Sequence, residues 1–180
     1  MRDTGEEKRR DKEAIMDGET MERALVRLTH EILERNQGVE GLVLIGIRTG
    51  GVYLAERIRE KIEQIEKVRV PFGIIDIALY RDDFAIGLPR PLVGKTEIPF
   101  PLRDRRVILV DDVLYTGRTV RAAMDALIDF GRPLFIQLAV LIDRGHRELP
   151  IQADYVGKKV VTSSQDEVAV LFREVDGQDR

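Results

Sequence analysis

Two adjacent carboxylates at the end of an apolar run are the residues of this chain best suited to bind a ligand. Asp111 and Asp112 directly follow residues 107–110, which are typical of a strand buried on both faces. A hydroxyl-rich loop comes next, and residues 120–130 have the pattern of a helix. The carboxylates and the loop are therefore expected at the carboxyl end of a parallel strand, where open α/β sheets bind their ligands.

The loop itself has the composition of a phosphate-binding turn. Residues 116–119 supply backbone N–H groups at a helix N-terminus, where they lack intrahelical partners and the helix dipole favours an anion. Gly117 lets the backbone approach closely, and Thr116, Arg118 and Thr119 add hydroxyls and a positive charge. The carboxylates before it suit sugar hydroxyls or a divalent metal. The pattern predicts a ligand with a ribose beside a phosphate; the alternative is a polar turn that only caps a helix.

A second strand, glycine loop and helix precede the first. The apolar run 41–47 leads into Arg48, Thr49 and Gly50, and residues 52–65 have helical periodicity. This loop offers backbone N–H groups and one guanidinium to an anion. On its own the feature is weak, because two consecutive glycines more often mark an ordinary turn.

Composition excludes several other classes of protein. The 180 residues carry a net charge of −3, so any nucleic-acid site must be a local basic patch. The chain has no Cys and two His, which argues against thiolate and His-based zinc sites. Residues 94–96 resemble the end of a P-loop, but Pro89 stands where its first Gly is needed. Neither a membrane span nor a signal peptide is evident, so a cytoplasmic location is expected.

The alternation of strands and helices predicts one α/β domain. Residues 1–18 are expected to form a mobile charged tail, and residues 19–180 the domain. Strands at 70–79 and 134–142 complete a mainly parallel sheet, and a helix at 19–36 is expected to join a small cap over the strand carboxyl ends. Further predicted elements are a lid loop at 80–101, two short strands at 155–156 and 168–172 that join a cap, and a frayed end at 176–180.

The run 110–119 resembles the 5-phosphoribosyl-1-pyrophosphate (PRPP) motif of type I phosphoribosyltransferases. Segments 79–83, 131–133 and 143–151 are, in addition, similar to the pyrimidine operon regulator family. The resemblance implies a type I phosphoribosyltransferase fold, with a mainly parallel central sheet flanked by helices and a small hood over the strand carboxyl ends. It also implies two activities: formation of UMP and pyrophosphate from uracil and PRPP, and attenuation of transcription by UMP-responsive binding to pyrimidine-leader mRNA.

The resemblance assigns a role to each candidate residue. Asp111 and Asp112 would hold the ribose and the waters of a Mg²⁺ that is bound mainly through PRPP, and Arg81 would reach the pyrophosphate from the lid. The remaining substrate-binding residues would be Arg48, Thr49, Gly50, Val113, Leu114, Tyr115, Thr116, Gly117, Arg118, Thr119, Arg144, Val168 and Ala169. Tyr115 stands where purine enzymes place an Asp, which favours uracil as the base, with Arg144, Val168 and Ala169 near its pocket.

RNA would contact a basic surface made by Arg27, His30, Arg147, Lys158 and Lys159. Val26 and Gln152 depart from the polar and basic residues expected there, and Gly50 stands where the family is expected to carry Arg. A homodimer or higher homo-oligomer is expected. Two alternatives stay open: a uracil salvage enzyme without an RNA role, and a nucleotide-binding regulator with little catalysis.

Overall fold

The computed structural model describes residues 13–80 and 95–180. Its centre is a parallel sheet of five strands in the order β2-β1-β3-β4-β5. The strands are β1 (Leu42–Ile47), β2 (Phe72–Ile75), β3 (Arg106–Leu114), β4 (Phe135–Asp143) and β5 (Tyr155–Lys159). The helices are α1 (Gly18–Asn36), α2 (Gly50–Glu66), α3 (Arg118–Phe130) and α4 (Arg173–Asp176). The prediction of a mainly parallel α/β domain is confirmed.

The sheet is buried on both faces, which explains the continuous apolar runs in its central strands. All six residues of β1 are buried, and side chains alternate between two core clusters. Leu44 and Ile108 belong to the cluster that α1 and α2 cover, whereas Ile45 and Leu109 belong to the cluster that α3 covers. No helix in the described ranges has both the length and the apolar character needed to cross a bilayer.

Helix α1 begins and ends with specific caps. Asp17 accepts a hydrogen bond from the Thr20 N–H at 2.8 Å, and hydrogen bonding to the side chain and then the backbone of Thr20 lowers the pKa of the Asp17 carboxyl. Gln37 adopts the left-handed conformation that ends the helix. The helix predicted at 19–36 is confirmed, but it does not join a cap: Leu25, Leu28 and Ile32 are fully buried in the core cluster formed with β1 and β3. Met16, just before the cap, is also buried.

Three of the strand predictions are wrong in detail. The strand at 155–156 was expected in the cap, but β5 extends the central sheet by pairing with β4. Gly157 permits this close approach, since a Cβ there would lie 2.5 Å from the Leu141 carbonyl oxygen. Residues 168–172 form no strand, and Leu171 instead exchanges backbone hydrogen bonds with Arg180. The strand predicted at 70–79 is also shorter than expected, because β2 ends at Ile75.

The C-terminal end is anchored to α2 instead of being frayed. The Arg57 guanidinium, 8% exposed, donates to Glu174 Oε2 at 2.6 Å and to Asp179 Oδ1 at 2.7 Å. Burial opposes the charge of Arg57, but these hydrogen bonds outweigh it and raise the pKa of Arg57. The guanidinium also lies over the Phe172 ring, 5.7 Å from its centroid. We call this cluster the C-terminal clamp.

Candidate active site

Strand β3 places the two carboxylates at the carboxyl end of the sheet. Asp111 is 6% exposed and Asp112 is half-buried. Asp111 Oδ1 accepts from the Asp112 N–H at 3.0 Å, and Asp112 Oδ1 accepts from the Val113 N–H at 2.8 Å. One oxygen of each carboxylate is thereby fixed by the backbone, so both groups have a preset orientation before any ligand binds.

The loop between β1 and α2 lies directly against these carboxylates. A Cβ at Gly50 would overlap Oδ2 of Asp112, and a Cβ at Gly51 would overlap the carbonyl oxygen of Val110. The neighbour of Gly51 is backbone, so the first turn of α2 packs on the end of β3 at a distance that only glycine allows at this position, whereas the neighbour of Gly50 is the Asp112 side chain. The structure thus brings together two sites that the sequence predicted separately.

Arg48 is held at the entrance of this loop. Its Nη2 donates to the Lys95 carbonyl oxygen at 2.8 Å, and its Nε lies 3.8 Å from Asp76 Oδ2. The buried Nε has no hydrogen-bond partner among the described residues. Thr49 occupies the N-cap position of α2, but its side chain forms no capping hydrogen bond and is exposed. The loop thus combines a guanidinium with the N-terminus of a helix.

Residues 115–119, the phosphate loop, connect β3 to the start of α3. Gly117 is the N-cap with a φ of 92°, a conformation that favours glycine. Thr116 Oγ1 accepts from the Arg118 N–H at 3.3 Å, and Arg118 Nε donates to Glu148 Oε2 at 2.6 Å. Thr119 lies in the first turn of α3 and is half-buried. The loop therefore has the geometry of an anion-binding turn at a helix N-terminus.

The segment 144–151, the β4 turn, supports the phosphate loop. The carbonyl oxygen of Thr116 accepts from the backbone N–H groups of Glu148 at 2.9 Å and Leu149 at 3.2 Å. Ile151 lies under Gly117, so that a Cβ on the glycine would be 3.3 Å from the isoleucine side chain. The partners of the phosphate loop could not be identified from the sequence, because no periodic pattern links them to it.

Tyr115 is packed between two side chains at the predicted base pocket. The Arg144 guanidinium lies over its ring at 4.0 Å, and the His146 ring meets it edge-on at 5.9 Å. Arg144, 6% exposed, donates to the carbonyl oxygens of Ser163 and Asp166. The Tyr115 hydroxyl donates to the Ser164 carbonyl oxygen at 3.3 Å. These contacts hold the segment 163–166 beside Tyr115.

The other predicted substrate-binding residues are placed less centrally. Val168, half-buried, and Ala169, exposed, follow the segment held by Arg144. Leu114 is 1% exposed in the core beneath α3, so it offers the site only its backbone, whereas Val113 is half-buried. Arg81 lies outside the described residues, as does most of the predicted lid.

The acid pair could assist a magnesium ion but does not form a complete protein site. Asp111 and Asp112 provide hard oxygen ligands of the kind Mg²⁺ prefers. Among the residues that the structure describes, no group of three or more His, Cys, Asp or Glu side chains is placed to hold a metal. The donor set fits an ion whose other ligands come from a phosphorylated substrate and water.

Most of the residues predicted to bind RNA lie where α1 meets β5. Arg27 Nη2 donates to the Gly157 carbonyl oxygen at 2.6 Å, and Arg27 Nη1 pairs with Glu31 at 2.8 Å. His30 and Lys159 are exposed, and Lys158 Nζ donates to the Ile15 carbonyl oxygen at 2.6 Å. Arg147 differs from the others, because it lies in the β4 turn with its guanidinium engaged by the protein.

Known proteins resemble this chain in sequence and in fold. The phosphoribosyl transferase domain family matches residues 11–174. Bifunctional protein PyrR of Geobacter sulfurreducens is 63% identical over 158 residues, covering 88% of this chain and 89% of the relative. Bifunctional protein PyrR of Pelotomaculum thermopropionicum is 58% identical over 171 residues, covering 95% and 94%.

Among solved structures the similarity lies in the fold. A hypoxanthine phosphoribosyltransferase from Staphylococcus aureus superimposes with a TM-score of 0.68 at 22% identity, covering 92% of this chain and 88% of the other. The hypoxanthine phosphoribosyltransferase of Trypanosoma cruzi gives a TM-score of 0.65 at 18% identity, covering 83% and 82%. The prediction of a type I phosphoribosyltransferase fold is confirmed.

Proposed function

The chain belongs to the phosphoribosyl transferase domain family and, within it, to the PyrR proteins, and from this premise we propose how it works. Its carboxyl-end site makes UMP and pyrophosphate from uracil and PRPP. The same protein binds pyrimidine-leader mRNA in response to UMP and so attenuates transcription. The observation that carries the catalytic part is the direct contact between the acid pair and the β1–α2 loop, next to the phosphate loop.

The two loops and the acid pair divide the substrate between them. Thr116, Gly117 and Thr119 hold the 5′-phosphate of PRPP at the N-terminus of α3. Asp112 and Asp111 accept hydrogen bonds from the ribose hydroxyls, since carboxylates repel phosphates but bind hydroxyls. The β1–α2 loop, with Arg48, holds the pyrophosphate at the N-terminus of α2.

The reaction breaks the bond between ribose C1 and a pyrophosphate oxygen and forms a bond from C1 to uracil N1, which loses its proton. Positive charge develops on the ribose and negative charge on the leaving group. The site stabilises both through fixed groups: the oriented carboxylates beside the ribose, and Arg48 with the α2 N-terminus beside pyrophosphate. A Mg²⁺ ion bound with PRPP neutralises part of the pyrophosphate charge.

Tyr115 supports uracil over a purine as the base. A phenol is a poor proton acceptor at neutral pH, unlike a carboxylate. Here the ring is also covered by Arg144 and its hydroxyl donates to Ser164. Arg144, Val168 and Ala169 would line the base pocket together with the backbone of the segment 163–166. Arg81, which the resemblance assigns to the pyrophosphate, lies outside the described residues.

The proposed activity can be tested with one substrate series. Purified protein is incubated with PRPP, Mg²⁺ and either uracil, hypoxanthine or guanine, and pyrophosphate release is measured. We expect turnover with uracil and at most about one hundredth of that rate with either purine base, the discrimination that unsatisfied polar groups in a base pocket produce. Comparable turnover with a purine would contradict the assignment of the base.

A cytoplasmic location and a homo-oligomer are further parts of the proposal.

A further inference from the structure

The Arg147 side chain lies inside the β4 turn. Nε donates to the Ile151 carbonyl oxygen at 2.9 Å, and Nη2 pairs with Asp143 Oδ2 at 2.7 Å. Nη1 donates to the carbonyl oxygens of Tyr115 at 2.9 Å and Gly145 at 3.3 Å. Because a guanidinium has five N–H donors, these contacts occupy most of its capacity. The Arg147 side chain is 22% exposed and that of Asp143 is 13% exposed.

The carbonyl oxygens that accept hydrogen bonds from Arg147 lie at the start of the phosphate loop and at the end of the β4 turn that supports it. Tyr115 is the first residue of that loop, and Ile151 is the residue that packs under Gly117. Between them, the backbone of Glu148 and Leu149 donates to the Thr116 carbonyl oxygen. One guanidinium therefore joins the end of β4, the β4 turn and the start of the phosphate loop into a single unit.

We propose that Arg147 is a positioning residue for the site that binds PRPP and UMP, and that it acts through Tyr115 and Ile151 without touching RNA phosphates. The inference rests on the proposed function of the phosphate loop. A planar guanidinium can satisfy three carbonyl oxygens and a carboxylate at fixed angles, which a lysine ammonium cannot do. Without it, the loop that orients the 5′-phosphate loses its tether at Tyr115, and small displacements of such loops strongly slow a reaction.

Solvent exposure also separates Arg147 from the RNA surface. Both arginines pair with a carboxylate, Arg147 with Asp143 at 2.7 Å and Arg27 with Glu31 at 2.8 Å. The side chain of Arg147 is only 22% exposed, whereas that of Arg27 is 48% exposed at the junction of α1 and β5. Only Arg27 of these two arginines has a large solvent-facing surface in the protein as it stands.

Three variants distinguish the two roles. Arg147→Lys keeps the charge, Arg147→Ala removes the side chain, and Asp143→Asn weakens the tether while removing a negative charge. The measurements are KM for PRPP and kcat with uracil, the rise in melting temperature caused by UMP, and binding to a pyrimidine-leader hairpin at two salt concentrations. Arg23→Ala is the control, because its side chain is 74% exposed on α1 and far from the site.

We expect all three variants to raise KM for PRPP, by about tenfold or more for Arg147→Ala, because a loop displaced from its productive geometry binds and orients phosphate poorly. Arg147→Lys should behave like a weaker form of Arg147→Ala despite its charge. The UMP-dependent rise in melting temperature should shrink in parallel. The salt dependence of RNA binding should keep its wild-type slope, since no phosphate contact is lost.

Asp143→Asn provides the sharpest test, because the two roles predict different results for it. Loosening of the tether raises KM for PRPP, whereas a role of Arg147 in RNA binding leaves KM unchanged and tightens RNA binding. If Arg147→Ala fails to fold, Asp143→Asn and Arg147→Lys still decide the matter. Wild-type KM for PRPP in both would overturn the inference. An inactive wild-type protein would instead refute the proposed function.

Discussion

Residues of the candidate active site depend on the room that neighbouring residues leave for their side chains as well as on their own functional groups. Asp112 keeps its orientation because the Val113 N–H holds one oxygen, and because Gly50 leaves room for the other. The sequence predicted that Asp111 and Asp112 stand together, but it could not show that a glycine more than sixty positions earlier lies against one of them. That relation depends on how β1 and β3 pair, which is a property of the sheet.

Asp112→Asn and Thr119→Ala should each lower UMP synthesis. The first removes a charge beside the developing positive ribose, and the second removes a hydroxyl from the phosphate loop. We expect kcat/KM to fall by about a hundredfold for Asp112→Asn, as for other groups that stabilise transition-state charge. Steady-state kinetics and a thermal melt measured together give the result. Asp125→Asn is the control, because this residue forms an exposed pair with Arg121 on α3. Near-wild-type turnover in both active-site variants would contradict the assignment.

Gly50→Ala should lower activity by displacing Asp112. The added Cβ would overlap the carboxylate, which must then rotate away from its position over the β1–α2 loop. We expect kcat to fall by about tenfold or more while the melting temperature changes little, because a flexible side chain can move where the backbone cannot. Gly18→Ala is a matched control, since Gly18 is also the first residue of a helix and its Cβ would meet Asp179 at 3.2 Å. Unchanged kcat in Gly50→Ala would show that Asp112 is not positioned by this glycine.

At the scale of elements, the short helix α4 is held in place by ion pairs with Arg57. Its four residues are too few to be stable alone, and none of them is buried. Instead, Arg57 of α2 reaches Glu174 and Asp179 at both ends of this segment, and Phe172 packs against Tyr53 with ring centroids 5.3 Å apart. The sequence predicted a frayed end at 176–180, because polar composition cannot indicate that Asp179 has a partner 122 residues away.

The C-terminal clamp should make stability depend on pH. The hydrogen bond from Arg57 lowers the pKa of Glu174; burial raises that of Asp179, but hydrogen bonds from Arg57 and Arg173 outweigh it and lower the pKa. Both carboxyls thus stabilise the folded state above their ordinary pKa values of 4.5 and 3.8, and this contribution is lost as pH falls through their lower folded values.

Melting curves between pH 7 and pH 3 would measure this effect. We expect the Glu174→Gln, Asp179→Asn double variant to melt at a lower temperature than the wild type at pH 7, and the difference to shrink as the pH falls. The Glu34→Gln, Glu40→Gln double variant serves as a control of equal charge change at exposed positions. A difference that stays constant across the pH range would contradict the clamp.

At the scale of the whole molecule, the catalytic surface and the basic surface lie on different parts of one sheet. The active site occupies the carboxyl ends of β1 and β3, whereas Arg27, His30 and Lys159 lie where α1 covers the β5 edge. Val26, 41% exposed, and Gln152, also exposed, are the two positions expected to depart from the family pattern. Lys159 pairs in register with Asp143, which brings the basic edge next to the β4 turn.

UMP should increase the affinity of the protein for a pyrimidine-leader hairpin, and Arg27→Ala should reduce it. Removing one phosphate contact weakens binding and lowers the slope of log affinity against log salt by about one. Filter binding at two salt concentrations, with and without UMP, measures both effects. Arg23→Ala, one turn earlier on α1, should keep the wild-type slope. If wild-type binding shows no UMP dependence and no preference over an unrelated hairpin, the protein is an enzyme without the RNA role.

The sequence predicted the centre of the fold better than its edges. Central strands such as β3 are apolar on both faces, and that pattern can be recognised without a structure. β5 has only a weak pattern, since it contains Gly157 and two lysines, so its place in the sheet was missed. The RNA-binding role of Arg147 was predicted from its charge and the family resemblance, and only the structure shows that its guanidinium points into the protein.

The pairing of the strands has a consequence for how the chain folds. β3 and β4 are joined by α3 alone, so their contacts close a short loop, whereas β1 must find β3 across α2, β2 and the segment that follows. Loop-closure entropy favours such local pairings over the distant pairing of β1 with β3, so β3, α3 and β4 are expected to form one local unit before β1 joins β3. The phosphate loop lies within that unit, whereas Gly50 belongs to the β1–α2 unit. A chain refolding from the unfolded state is therefore expected to form its phosphate loop before Gly50 packs against the acid pair.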